Sequence, residues 1–188
     1  REYFPHPTYL RYRGRPVALI YITRALRGDI HGLIGALRDA CDGEGADVFL
    51  GGDEFFFVSR PSSAKIAPWD AIFGYDCYAG RGGHWGTNGT LDLFRSRTED
   101  YRESAEEVGV KFFPSILPGF NDRAIRRVCA DNPALPRRLS VGAAATSLFE
   151  TLLETAALPN LDAELPLIAV TSFNEWHEDT QIEPTVGR

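Results

Sequence analysis

The 188-residue sequence contains no methionine, only three cysteines and no long apolar run. A helix that spans a bilayer needs about 20 consecutive apolar residues, so the sequence predicts no transmembrane helix. The missing methionine, absent even at position 1, leads us to expect that the chain is part of a longer protein. Cys41, Cys77 and Cys129 form no CxxC pair, so we expect buried thiols and no zinc site.

The chain also has fewer basic residues than acidic ones. The chain has 20 Lys and Arg against 26 Asp and Glu, a net charge of -6 and a pI of about 5.2. Binding to a phosphate backbone requires a basic surface, so we do not expect a nucleic acid partner, whereas a neutral ligand such as a sugar is compatible. The length and the 44% hydrophobic content predict a single globular domain over residues 1–188.

Apolar runs alternate with helical patterns along the chain. The predicted strands are 17–23, 46–50, 71–75, 110–116 and 167–172, with a shorter apolar piece at 55–58. The predicted helices are 29–41, 98–108 and 143–157, and loops are predicted at 59–68 and 123–142. This order indicates α/β architecture with a parallel sheet. A complete (β/α)8 barrel has eight strands, so the chain forms either a smaller open sheet or the later part of a barrel.

The last predicted strand is followed by a polar and aromatic cluster. Leu167 to Val170 is a continuous apolar run, which predicts a strand covered on both faces. The next residues are Asn174, Glu175, Trp176, His177 and Glu178. Ligand sites of α/β proteins lie at the carboxyl ends of the strands, so we take this cluster as the candidate site.

Glu175 and Glu178 are the candidate catalytic pair. Most glycoside hydrolases place two carboxylates on either side of the bond that they cleave. Residues three apart share a face of a helix but point to opposite faces of a strand. The chain must therefore leave strand geometry near Glu175 if both are to reach one ligand; a solvated acidic loop is the alternative.

The remaining candidates are ligand-binding groups. Trp176 offers a flat apolar surface to a sugar ring, and Asn174 can hydrogen-bond the ligand. His177 either orients a carboxylate or points away. Tyr75, at a strand end, is either a ligand contact or a core tyrosine with a satisfied hydroxyl.

Two further pairs of residues are less specific. Asp53 and Glu54 follow a strand and either line the cleft or form a solvated turn. His84 and Trp85 lie in a glycine-rich loop, which is either a wall of the site or an ordinary surface loop. We expect the arginines between 123 and 138 to form a solvated loop surface.

The segment Thr171 to Pro184 closely resembles a motif of glycoside hydrolase family 99, the endo-α-mannosidases. The family motif reads S-F-N-E-W-H-E-G-T-Q-I-E, and this chain departs from it only at Asp179, where the family has Gly. The stretches His6-Pro-Thr-Tyr-Leu-Arg-Tyr12 and Phe113-Pro-Ser-Ile-Leu-Pro-Gly-Phe120 also resemble family segments. The resemblance covers most of the chain.

The resemblance implies a (β/α)8 TIM-barrel fold, of which this chain forms the later strands. It implies a retaining endo-α-1,2-mannosidase acting on mannose-rich or glucosylated N-glycan-type oligosaccharides, with no metal or cofactor. By position, Glu175 is the base on the sugar 2-hydroxyl and Glu178 is the general acid and base. The implied compartment is the secretory pathway (Golgi lumen) or the bacterial cell envelope, and the sequon Asn88-Gly89-Thr90 favours the former.

Other positions depart from the family. Phe120 stands where the family has Tyr, and Ser147 to Glu150 lacks tyrosines that the family carries. Thr23 and Arg24 stand where the family tends to have Tyr and Asp. Two alternatives therefore stay open: a catalytically weak carbohydrate-binding relative, and a glycosidase acting on a different polysaccharide.

Overall fold

Short parallel strands and the helices that cover them make up the fold. The computed structural model describes residues 3–55, 60–75, 88–123, 125, 134–139 and 146–183. The strands are β1 (Arg11–Tyr12), β2 (Arg15–Ile20), β3 (Phe49–Asp53), β4 (Ala71–Phe73), β5 (Lys111–Phe112), β6 (Ser115–Ile116), β7 (Arg138–Leu139), β8 (Thr146–Ser147) and β9 (Ala169–Val170). The helices are α1 (Ile30–Gly43), α2 (Ser63–Ile66), α3 (Asn88–Glu107) and α4 (Leu148–Leu152); α4 continues as a π turn (Leu153–Ala157) and a 3-10 turn (Leu158–Asn160), and further 3-10 turns are Thr23–Ala25 and Trp176–Glu178.

The predicted parallel sheet is confirmed. β2, β3, β4 and β5 pair in that order and in parallel, and β6 pairs in parallel with β9. Phe113 N donates to Ile72 O at 2.9 Å, and Ala169 N donates to Pro114 O at 2.9 Å, so β5 and β6 are one strand interrupted at Phe113 and Pro114. β1 adds an antiparallel edge to β2.

The sheet has an apolar core on each face. The larger core lies towards the helices and includes Ile34, Leu50, Ile72, Phe112 and Leu152. The smaller core consists of Val17, Phe49, Ala71, Phe73, Phe113 and Leu165. Adjacent strand residues such as Phe49 and Leu50 enter different cores, as expected for a parallel sheet with an outer helical layer and a filled inner face.

The helix boundaries differ from the predicted ones for local reasons. α1 begins where predicted, because the Asp29 carboxylate accepts a hydrogen bond from Gly32 N at 2.8 Å. α3 begins ten residues before the predicted 98, with Asn88 as its first residue. α4 begins at Leu148 instead of 143, because Ser147 lies in β8 and its hydroxyl caps the helix. α2 lies within the predicted loop 59–68.

β9 is less buried than the sequence predicts. Its residues are half-buried, but they pack on both cores: Ile168 and Val170 on the larger one, and Leu167 and Ala169 on the smaller one. Both faces of the strand are therefore covered in part, as expected. β9 pairs with β6 on one side, and its other edge has no partner strand among the described residues.

Asp70 forms hydrogen bonds and ion pairs with residues near the amino ends of the strands. Its carboxylate accepts hydrogen bonds from Leu50 N at 2.8 Å and from Arg15 Nη1 at 2.9 Å, and Arg38 Nη2 lies 2.8 Å away. Burial alone would raise the pKa of Asp70, but the hydrogen bonds from Arg15, Leu50 and Arg38 outweigh burial and lower it. This carboxylate, directly before β4, therefore contacts residues of β2, β3 and α1. It lies at the end of the sheet opposite the candidate site.

No helix in the described part of the chain has the length and apolar character needed to cross a membrane.

Candidate functional site

Glu175 and Glu178 flank a single 3-10 turn beyond the carboxyl end of β9. The strand ends at Val170, and Trp176–Glu178 forms the turn, with Glu175 at its N-cap. Glu175 directly precedes the turn with a non-helical backbone (φ -82°, ψ 83°), and Glu178 is the last residue of the turn. The expected departure from strand geometry is confirmed, and both carboxylates are half-buried.

The loop that carries these carboxylates is closed at its base by two buried residues. Ser172 N donates to Thr180 O at 2.9 Å, and the two hydroxyl oxygens are 2.8 Å apart. Glu175 N donates to Ser172 Oγ at 3.0 Å. Because Ser172 and Thr180 are buried, the base of the loop is fixed to the interior while its tip faces outwards.

A second set of contacts holds the far side of the turn. Asn121 N donates to Glu178 O at 2.7 Å. Arg137 Nε donates to Asp179 Oδ1 at 2.9 Å, and Arg137 Nη2 donates to Asp179 O and Gln181 O, each at 3.0 Å. The expectation that the arginines from 123 to 138 form only a solvated surface was wrong for Arg137.

The tip of the turn presents the aromatic and polar candidates to solvent. Trp176 is 47% exposed, and its Nε1 donates to Glu183 Oε2 at 3.0 Å. Asn174 and His177 are exposed as well. An indole ring that is held at one end and half exposed is suited to stacking on a sugar ring.

Tyr75 lies in a chain of hydrogen bonds that crosses the carboxyl ends of three strands. Asp53, at the end of β3, is fully buried and accepts from Tyr75 N at 2.9 Å and from Ile22 N at 2.8 Å. Thr171 Oγ1 donates to Tyr75 O at 2.7 Å, next to Ser172 at the base of the Glu175 loop. The solvated-turn interpretation of Asp53 was therefore wrong.

Two residues that depart from the family pattern lie next to the buried carboxylates, Arg24 at Asp53 and Thr23 at Glu54. Arg24 forms an ion pair with the Asp53 carboxylate, and Thr23 is buried. The ring of Tyr21 meets the ring of Tyr75 edge-on, with centroids 5.0 Å apart. Arg24 thus compensates the buried charge of Asp53.

Glu54 is a buried carboxylate at the same end of the sheet. Its side chain pairs with Lys65 Nζ at 3.2 Å, and its Oε1 has no hydrogen-bond partner among the described residues. Burial raises the pKa of Glu54, and the Thr23 hydroxyl and the Lys65 charge offset part of that rise. A carboxylate with a raised pKa at a strand end is a functional-site signal, although a structural role also produces it.

Some sequence candidates lie outside the described residues. These are His84, Trp85, Cys77 and Cys129. Cys41 is a half-buried free thiol. Within the described ranges, no three His, Cys, Asp or Glu side chains come together in a way that could hold a metal ion.

Sequence reasoning did not identify the supports of the site. Arg137 lies 42 positions before Asp179, and nothing in the local sequence distinguishes it from its neighbours. The one available signal was Asp179 itself, the acidic residue in place of the family's Gly.

The chain is similar in sequence to proteins of one known family. The family model of Glycosyl hydrolase family 99 matches residues 62–188. A mouse protein, glycoprotein endo-alpha-1,2-mannosidase, is 30% identical over 147 residues, which cover 69% of this chain and 29% of that protein. A second mouse protein, glycoprotein endo-alpha-1,2-mannosidase-like protein, is 37% identical over 77 residues, covering 41% of this chain and 15% of its own.

The fold also matches solved structures. The GH99 endo-alpha-mannosidase from Bacteroides thetaiotaomicron superposes with a TM-score of 0.65 at 24% identity, covering 99% of this chain and 50% of the solved one. This chain therefore has the fold of a partial (β/α)8 barrel and spans about half of that structure's length.

Proposed function

The chain belongs to glycosyl hydrolase family 99, and on that premise we propose that this protein is a retaining endo-α-1,2-mannosidase acting on mannose-rich or glucosylated oligosaccharides. The observation that carries the proposal is the position of Glu175 at the N-cap and Glu178 at the last residue of one 3-10 turn, beyond the carboxyl end of β9. Active sites of β/α barrels form at that end of the strands. The name of the mouse relative supplies the linkage.

In the proposed reaction, the two carboxylates divide the proton transfers. Glu175 takes the proton of the sugar 2-hydroxyl, whose oxygen attacks the anomeric carbon and forms an epoxide-like intermediate. Glu178 gives its proton to the departing oxygen as the glycosidic bond breaks. Glu178 then takes a proton from water, the water oxygen attacks the anomeric carbon as the bond between that carbon and O2 breaks, and O2 regains the proton held by Glu175. Two inversions at one carbon retain its configuration.

The surrounding residues bind the glycan in this proposal. Trp176 stacks on a sugar ring, and Asn174, Tyr75 and His177 contact its hydroxyl groups. The exposure of Trp176, Asn174 and His177 supports this assignment. The proposed compartment is the secretory pathway (Golgi lumen) or the bacterial cell envelope.

Glu175→Gln and Glu178→Gln in the full-length protein test the proposal. Each should lower the rate of oligosaccharide release by at least about 100-fold, because a positioned general acid or base contributes roughly 10²–10⁴. The substrate is a mannose oligosaccharide with an internal α-1,2 linkage, and the products are identified by mass spectrometry and by NMR of the new anomeric centre. Glu99→Gln, at an exposed position on α3, is the matched control.

A second substrate separates the two roles. A 2,4-dinitrophenyl glycoside carries a leaving group that needs no protonation, so Glu178→Gln should release the first equivalent of dinitrophenolate far faster than Glu175→Gln does, although its later turnovers still lack the base for water. Normal turnover of the oligosaccharide by either variant, or an inverted product, contradicts the mechanism. Glycan binding without turnover by the unaltered protein identifies a binding relative, and cleavage of another linkage identifies a different glycosidase.

A further inference from the structure

Arg137 contacts the polypeptide directly beyond Glu178 through two nitrogens of its guanidinium group. Its Nε and Nη2 reach Asp179 Oδ1, Asp179 O and Gln181 O within 3.0 Å. The planar fork of an arginine can satisfy acceptors in several fixed directions at once, which a lysine cannot do. The contact therefore constrains the backbone at Asp179 and Gln181 in addition to pairing opposite charges.

The turn that Arg137 contacts has an unusual backbone conformation. Asp179 has φ 54° and ψ 32°, in the left-handed region that glycine adopts with the least cost. Aspartate is among the few other residues that visit this region. In this chain the left-handed residue also carries a carboxylate, and that carboxylate accepts from Arg137. The departure of Asp179 from the family motif thus adds a side-chain contact to the turn.

Arg137 is itself held in place by the segment around it. Leu135 and Phe120 exchange two backbone hydrogen bonds, of 2.8 and 3.0 Å. The aliphatic stem of Arg137 passes over Gly119 so closely that a β-carbon there would lie 2.7 Å from Arg137 Cγ. Leu135 and Leu139, on either side of Arg137, are buried. The backbone that carries Arg137 is therefore fixed in place relative to the turn that its guanidinium group contacts.

Two contacts hold the backbone at Glu178, and both come from residues near the Phe120–Leu135 pair. The carbonyl oxygen of Glu178 accepts from Asn121 N at 2.7 Å, one residue after Phe120. Its neighbour Asp179 is held by Arg137. The backbone at Glu178 is thus fixed from both directions by the stretch that follows β6.

We infer that Arg137 is a positioning residue that holds the Glu178 turn in the geometry needed for proton donation to the leaving group. The inference rests on the proposed role of Glu178 as general acid. A displacement of about 1 Å at a reacting group can cost on the order of 100-fold in rate. Loss of the Arg137 fork therefore impairs the steps that use Glu178 more than the proton removal by Glu175.

Arg137→Lys and Arg137→Met in the full-length protein test the inference, with Arg138→Lys as the matched control because Arg138 is the exposed neighbour. The measurements are kcat and KM on the α-1,2-linked mannose oligosaccharide, and the rate at which the first equivalent of dinitrophenolate leaves the 2,4-dinitrophenyl glycoside. Both Arg137 variants should lose at least about tenfold in kcat on the oligosaccharide, a part of the roughly 10²–10⁴ from acid catalysis, and less than about threefold in the first dinitrophenolate release, which does not use Glu178. Asp179→Gly should lose less than Arg137→Lys, because both carbonyl contacts remain.

Equal losses on the two substrates overturn the inference, because they indicate a general structural role. Unchanged kcat on the oligosaccharide in Arg137→Lys overturns it as well. If Arg137→Met fails to fold, as judged by its thermal midpoint, the substrate ratio of Arg137→Lys decides. Failure of the proposed function is separate: it appears as full activity of Glu178→Gln on the oligosaccharide, whatever the Arg137 variants do.

Discussion

Asp179 combines a left-handed backbone with an ion pair, and the two can be separated by substitution. Asp179→Ala keeps neither glycine's freedom nor the carboxylate, so it should be less stable than Asp179→Gly by about 1–2 kcal/mol, the cost of a left-handed non-glycine residue. The Arg137–Asp179 pair is partly exposed, so its loss alone should change stability little. The check is the free energy of unfolding from urea denaturation; equal stability of the Ala and Gly variants contradicts the prediction.

At the residue scale, the sequence predicted the two candidate catalytic carboxylates better than the residues that hold their loop in place. Glu175, Glu178 and the bend between them follow from a short local motif and from the periods of strand and helix. The roles of those carboxylates stay a prediction. Arg137 and Asp53 act through contacts with residues far along the chain, and single-sequence reasoning has no access to such pairings. Glu54 was equally ambiguous, because burial is a property of the folded chain.

At the scale of elements, β3 depends on two consecutive glycines. A β-carbon added at Gly52 would lie 2.6 Å from Trp69 Cε2, in a buried ring, whereas at Gly51 it would meet the far end of Leu19 at 2.5 Å. Gly52→Ala should therefore destabilise the protein by about 1–3 kcal/mol, as overpacking does, and Gly51→Ala by less, because Leu19 can turn into solvent. Thermal and urea unfolding of both variants measure this, and the reverse order contradicts it.

The same glycines explain why the predicted strand 46–50 was displaced from the observed β3. Glycine has a low strand propensity, so a pattern-based boundary falls before Gly51. In the folded chain Gly51 and Gly52 pair with β2 on one side and β4 on the other, and the ladder overrides the local preference. The strand β4 was predicted to begin at its observed first residue, Ala71, whereas the predicted strand 17–23 begins and ends later than the observed β2, Arg15–Ile20.

At the scale of the whole molecule, the amino ends of the strands are stabilised by the charged form of Asp70. Its folded pKa lies below the ordinary value of 3.8. Such a group stabilises the fold above the unfolded pKa, and this contribution is lost as the pH falls towards the folded pKa. Asp70→Asn should therefore lower the free energy of unfolding by about 1–3 kcal/mol at pH 7.

The pH dependence of that loss is the check. The difference between Asp70→Asn and the unaltered protein should shrink as the pH falls below 3.8. Asp92→Asn, on an exposed residue of α3, is the control. A difference that stays constant from pH 7 to pH 3 contradicts the ionic explanation.

Glu54, at the opposite end of the strands, should behave in the reverse sense. Its pKa is raised above the ordinary value of 4.5, so the folded state favours the protonated form. The stability that this group provides is complete below the unfolded pKa and is lost as the pH rises through the folded pKa. Glu54→Gln should therefore gain stability relative to the unaltered protein as the pH rises above 4.5, measured by urea unfolding at a series of pH values. A relative gain that appears only on acidification contradicts the assignment.

The barrel architecture came from the family resemblance, whereas the residue pattern alone left an open sheet equally possible. The described chain contains one stretch of parallel sheet with a core on each face. How such a sheet curves depends on contacts between strands, which the sequence pattern does not encode.

The exposed ring of Trp176 also makes the site observable by spectroscopy. Indole fluorescence responds to the solvent around the ring, and Trp69, the other described tryptophan, is buried and shielded from it. A sugar ring that covers Trp176 replaces water on its face and changes its emission. Occupancy of the site can thus be followed optically in variants that release no product, which makes affinity measurable apart from catalysis.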